Sequence, residues 1–246
     1  MLHIWALLDH IGWTGLLLAL AVIFTGAMVQ ASIGIGLNLF SVGLLVMIDP
    51  VFAPGPVLVH SFLLSLIASV GLRRDIEFPA LALSIAGVAI GTVLAALLLT
   101  ILPRHGLPQV LGGLIVLAVT ITAAGFSLRV TPATILGATA AAGIMGTIAG
   151  AHGAPVALLY QRETPQRVRA ALLPFFTVAN PLAIAALAWA GLFGWREFWA
   201  SVLLVPGLVA GFFAAPFLIR TLSPRVIRMA LLSISAASGL MLLLKA

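Results

Sequence analysis

The sequence predicts an all-α polytopic membrane protein made of two homologous repeats, and three observations carry that prediction. Of 246 residues, 63% are hydrophobic and 7% charged, with a mean hydropathy of +1.26, whereas a soluble domain has roughly a quarter of its residues charged. Apolar stretches of about 20 residues recur along the chain, without the ~10-residue alternation of an outer-membrane strand. A glycine-broken hydrophobic segment occurs twice: Gly26, Met28 and Gly36 return 117 positions later as Gly143, Met145 and Gly153. Lipid offers no water to free N–H and C=O groups, so such a break survives only where protein buries it or a cavity wets it.

Apolar runs bounded by proline, glycine and charge predict helices over 12–32, 37–48, 56–72, 79–101 and 107–128 in a first repeat, residues 1–130. The second repeat, residues 131–246, gives 133–150, 153–161, 167–191, 198–219 and 224–245. No cleavable leader is expected, because Met1 to Asp9 lacks a basic start. The second piece of each repeat is short and, at ~1.5 Å per residue, reaches at most about half of a ~30 Å hydrocarbon core. The fourth pieces correspond at a shift of 120: Glu77-Phe78-Pro79-Ala80 with Glu197-Phe198-Trp199-Ala200, and Gly87, Gly91 and Ala95 with Gly207, Gly211 and Ala215. Small residues four apart read first as a helix-packing row.

Charge bears on how the repeats are oriented. If each broken pair is one crossing, the repeats are parallel and the twelve Lys and Arg divide seven to five. If each pair is a re-entrant hairpin, three full crossings remain per repeat and the repeats are inverted. Arg73, Arg74, Arg129, Arg162, Arg167, Arg169, Arg220, Arg225 and Arg228 then share one side against Arg104, Arg196 and Lys245. The positive-inside rule selects the second arrangement, which puts both termini outside the cytoplasm of a bacterial inner membrane.

Inverted repeats with discontinuous helices are the pattern of secondary transporters whose site lies near the bilayer midplane. Around the first break stand Gln30, Ser32, Gly34, Gly36 and Asn38, and around the second Thr147, Gly150, His152, Gly153 and Pro155. The short helices start beside Gly36 and Gly153, so their free N–H groups and positive dipole ends would face the break. For any single glycine, packing alone is the commoner use; the repetition of the whole segment with Gln, Asn and His beside it favours a binding site. His60 and Ser61, with Thr177 and Asn180 on the corresponding helix of the second repeat, add polar groups at similar depth. A buried His60 is equally readable as a satisfied structural imidazole or as a proton-coupling one.

All six carboxylates, Asp9, Asp49, Asp75, Glu77, Glu163 and Glu197, fall near helix ends, so none is placed to hold a cation at the membrane centre, and an anion is the better substrate. No His-x-x-x-His or carboxylate-rich metal motif, paired-Asp site, Gly-x-Ser-x-Gly elbow or nucleotide-binding loop occurs, so no enzyme, cofactor or ATP hydrolysis is expected. The absence of cysteine excludes disulfides and thiolate chemistry. The net charge of +6 is dispersed over short loops, which argues against nucleic acid and for topology.

The segment Gly143 to Gln161, the continuation Thr164-Pro165-Gln166-Arg167-Val168-Arg169-Ala170 and the helix carrying Asn180 resemble the TauE/SafE, or sulfite exporter, family over nearly the whole chain. The resemblance implies export or uptake of small sulfur-containing anions such as sulfite, sulfoacetate or other organosulfonates. Two positions depart from the family pattern: Leu37 and Asn38 stand where small residues are usual, and His152 where an apolar residue or glycine is. The expected site comprises Gln30, Ser32, Gly34, Gly36, Asn38, His60, Gly150, His152, Gly153, Thr177 and Asn180, with the anion and the lipid bilayer as partners. Coupling to protons or sodium, and the alternatives of a cation or metal permease or a non-transporting scaffold, stay open at this point.

Overall fold

The structure, a computed structural model, describes residues 2–125 and 127–244; Lys245, counted among the minority charges, lies outside them. Among the described residues the chain forms ten α-helices and no strand: α1 (Leu2–Ile33), α2 (Leu37–Ile48), α3 (Gly55–Val70), α4 (Phe78–Ile101), α5 (Leu107–Ala123), α6 (Pro132–Ala149), α7 (Gly153–Tyr160), α8 (Pro165–Trp189), α9 (Trp195–Thr221) and α10 (Pro224–Leu244). Seven segments are long and apolar enough to cross a membrane, whereas α2 and α5 are shorter apolar helices.

Proline opens several helices at their first or second position, where its missing N–H is no loss. Before Pro132 the Thr131 hydroxyl accepts the Thr134 N–H at 3.2 Å, and before Pro165 the Thr164 hydroxyl accepts the Arg167 N–H at 3.4 Å, both ordinary N-caps. Two boundaries differ from the sequence expectation by five residues or more. The first helix starts ten residues earlier, at Leu2, with Gly12 leaving helical geometry at φ 71°, ψ 161°, so the break expected to begin the helix is a kink within it. The fifth helix stops at Ala123, and beyond it the Leu128 N–H donates to the Leu158 carbonyl at 2.9 Å. That bond holds the segment before α6 against α7 instead of letting it continue a helix.

The first broken pair is a hairpin. Gly26 of α1 meets Leu37 of α2, Gly15 meets Ile48, and His10 lies 3.2 Å from Asp49, so α2 runs back along α1. In the second pair, Gly146 of α6 packs under His152 at the turn, and Leu158 near the end of α7 meets the strap before α6.

The glycine rows interlock the halves. Gly87 and Gly91 of α4 seat the backbone of α6 at Leu136 and Ala140, while Gly207 and Gly211 of α9 seat the backbone of α1 at Leu20 and Phe24. Both pairs run parallel. Where corresponding helices meet they run antiparallel: α3 meets α8 through Ser61 with Asn180 and Ser69 with Thr177, and α5 meets α10 through Gly112 with Leu242 and Ile115 with Gly239. The larger apolar core packs Phe52, Leu58, Leu187 and Leu204 together; a second one gathers Val88, Leu159, Leu172 and Phe175.

Candidate functional site

Each break is made by glycine backbone that other residues rarely adopt. α1 closes with the Gly34 N–H on the Gln30 carbonyl at 2.8 Å, after which Gly34 (φ 86°) and Gly36 (φ 131°) reverse the chain. α6 closes on a left-handed Gly150 (φ 68°, ψ 6°), whose N–H and that of Ala151 return to Gly146 and Met145 at 2.8 and 3.3 Å.

The two breaks meet. A Cβ added at Gly150 would lie 2.9 Å from Val42 and 3.4 Å from Asn38, and one at Gly153 would lie 3.8 Å from Ile35. Glycine therefore permits the backbone of one hairpin to approach the other.

Between them lies a narrow pocket whose lining includes Gln30, Gly36, Asn38, Gly150 and Gly153. Thr122 from α5 and Arg228 from α10 complete its polar wall, and the Arg228 guanidinium donates to the Thr122 carbonyl at 2.6 Å. Asn38 is 7% exposed, and its Oδ1 has no hydrogen-bond partner. Among the described residues no carboxylate and no histidine belongs to this lining.

Behind the pocket, a buried polar network holds the first break. The Gln30 Oε1 accepts the Leu37 N–H at 3.3 Å, so it caps α2, while its Nε2 donates to Ser61 at 3.3 Å and Ser65 at 3.2 Å. Asn180 of α8 donates to the same Ser61 hydroxyl at 3.0 Å. Four helices are thereby tied to one turn of backbone. At the second break Thr147 donates to Thr92 of α4 at 3.3 Å.

The other expected residues lie outside the pocket lining. Ser32 bonds the Met28 carbonyl at 2.7 Å and the Ala215 carbonyl at 3.3 Å in the α1–α9 seam. Gly34 is backed by the Arg169 side chain. Thr177 bonds the Leu173 carbonyl at 2.9 Å. His60 is fully buried with Nδ1 2.6 Å from the Pro56 carbonyl and Nε2 unpartnered. His152 is fully buried over Gly146 and edge-on to Phe175, with no partner on either nitrogen. Sequence reasoning missed Arg228 and Thr122. Arg228 figures there only as an orienting charge within the predicted helix 224–245, although its spacing of three to both Arg225 and Leu231 places it on one face of α10.

A family profile described as Sulfite exporter TauE/SafE matches residues 18–242, nearly the whole chain including both breaks and the pocket between them. The chain belongs to the TauE/SafE family. Membership makes it an exporter-type membrane transporter. No curated protein and no solved structure matches it. In this TauE/SafE chain the family match runs from α1 into α10 and so spans Gln30, Asn38, Thr122 and Arg228 alike.

Proposed function

We propose that this TauE/SafE chain carries a small sulfur oxyanion or organosulfonate, such as sulfite or a sulfoacetate-like anion, across a bacterial inner membrane by alternating access of two inverted repeats, 1–130 and 131–246. The observation that carries the reading is the pocket between the breaks: one guanidinium, two carboxamides and glycine backbone, with no carboxylate in the wall. Arg228 and Asn38 contact the anion, and the positive dipole ends of α2 and α7 face its charge. Gln30 and Asn180 act indirectly, by fixing the first break through Ser61. His60 and His152 have no contact with the anion in this reading. The antiparallel meeting of α3 with α8 and of α5 with α10 supports inversion, since parallel repeats would bring counterparts together in parallel. The Arg-rich end faces the cytoplasm.

Uptake of labelled sulfite or sulfoacetate into proteoliposomes tests this. Loss of a charged hydrogen bond is worth about 1.5–3 kcal/mol, so Arg228→Gln is expected to raise the apparent KM ~10- to 100-fold. Uptake unchanged by Arg228→Gln combined with Asn38→Ala would sink the site.

A further inference from the structure

The two ends of the bundle are built from corresponding segments but stand in different states. At the Arg-rich end, the α3–α4 turn and the start of α8 are joined. Arg167 lies 2.9 Å from Glu77 and 3.2 Å from Glu163, and Gln166 donates to Asp75 at 3.0 Å. The crevice they border spans about 350 Å³, counted with its open space.

At the other end the counterparts are the α8–α9 turn, by the shift of 120, and the α2–α3 turn, where Asp49 and Pro50 correspond to Gln166 and Arg167 by the shift of 117. Both turns line one cavity of about 1220 Å³, counted with its open space, which reaches down to Ile148, two residues before the second break. No ion pair joins them among the described residues. Asp49 faces His10 at 3.2 Å and accepts the Val51 N–H at 2.8 Å, Glu197 accepts the Gly194 N–H at 2.8 Å, and Arg196 is exposed in the same cavity.

The charges are nonetheless complementary at both ends. The acid belongs to the first half and the base to the second: Glu77 with Arg167 at one mouth, Asp49 with Arg196 at the other. We infer that Asp49 and Arg196 form an outer latch that closes when the Arg167–Glu77 latch opens, the structure holding the inner latch shut and the outer pair unjoined. This rests on the alternating-access reading above. Swapping one exposed pair for another costs little, as a transporter that must occupy both states requires.

The chain has no cysteine, so an Asp49→Cys, Arg196→Cys pair can be cross-linked in membrane vesicles without background. The outer pair is expected to link, and Glu77→Gln or Arg167→Gln is expected to raise its linking rate about two- to five-fold by releasing the inner latch. Using either neutral variant guards against misfolding of one. No linking, or a rate indifferent to both inner variants, overturns the latch. The measurement needs no substrate: if wild-type protein moves no sulfite or organosulfonate yet the outer rate still rises, the substrate assignment fails and the latch stands. If transport is seen and the rate does not move, the reverse holds.

Discussion

Gln30 shows how one polar side chain can hold a helix break open in lipid. Its carbonyl oxygen takes the first free N–H of α2 and its amide nitrogen reaches two serines of α3, so the residue replaces the backbone bonds that the glycines give up. Asn38, the residue after Leu37, keeps an unpartnered oxygen against the pocket, and a buried polar atom without a partner is costly unless a ligand or water meets it. Gln30→Leu is therefore expected to destabilise the folded protein by about 1–3 kcal/mol, because Leu37 and the serines lose a buried partner. Thermal unfolding in detergent checks this, and an unchanged midpoint would show the network to be incidental. The histidines mark the limit of residue-level reading. His60 and His152 drew attention as titratable groups in an apolar chain, yet the fold sets one on the Pro56 carbonyl and the other between Gly146 and Phe175. Spacing cannot reveal which way a side chain points once the backbone around it has turned.

At the scale of elements, the duplicated small-residue rows have a use that neither half could express alone. The row on α4 receives α6 of the other half, and the row on α9 receives α1. Backbone-to-backbone approach of this kind needs hydrogen in place of a side chain. A Cβ at Gly207 would lie 2.7 Å from the Leu20 carbonyl, whereas one at Gly137, also inside a helix, would meet nothing within 4 Å. Gly207→Ala and Gly91→Ala are thus expected to lower the unfolding temperature and the yield of folded protein. Gly137→Ala should leave both unchanged or raise stability by about 0.5–1 kcal/mol. Equal behaviour of all three would refute the seam as a tight packing interface. Helix limits were legible because proline, glycine and charge interrupt apolar runs. The early stop of α5 was not, since Leu128 leaves the helix for a hydrogen bond to Leu158, thirty residues away.

For the whole molecule, orientation follows from where the arginines collect. With the Arg-rich end cytoplasmic, a C-terminal phosphatase fusion is expected to be active and a C-terminal fluorescent-protein fusion dark; the opposite pair of results would invert the topology. Apolar run length, the two glycine breaks and the absence of central carboxylates were all in the sequence. They determined a helical membrane protein and the position of its discontinuities, because each depends on local composition against lipid, and they supply the argument for an anion. The tertiary structure decided which residues share the pocket. Arg228 and Thr122 reach it only because α10 packs against α5, and the breaks face each other only because α1 and α6 are each clasped by a helix of the other half. Those contacts join positions 49 to 187 residues apart, and no periodicity within one helix encodes the partner across the bundle.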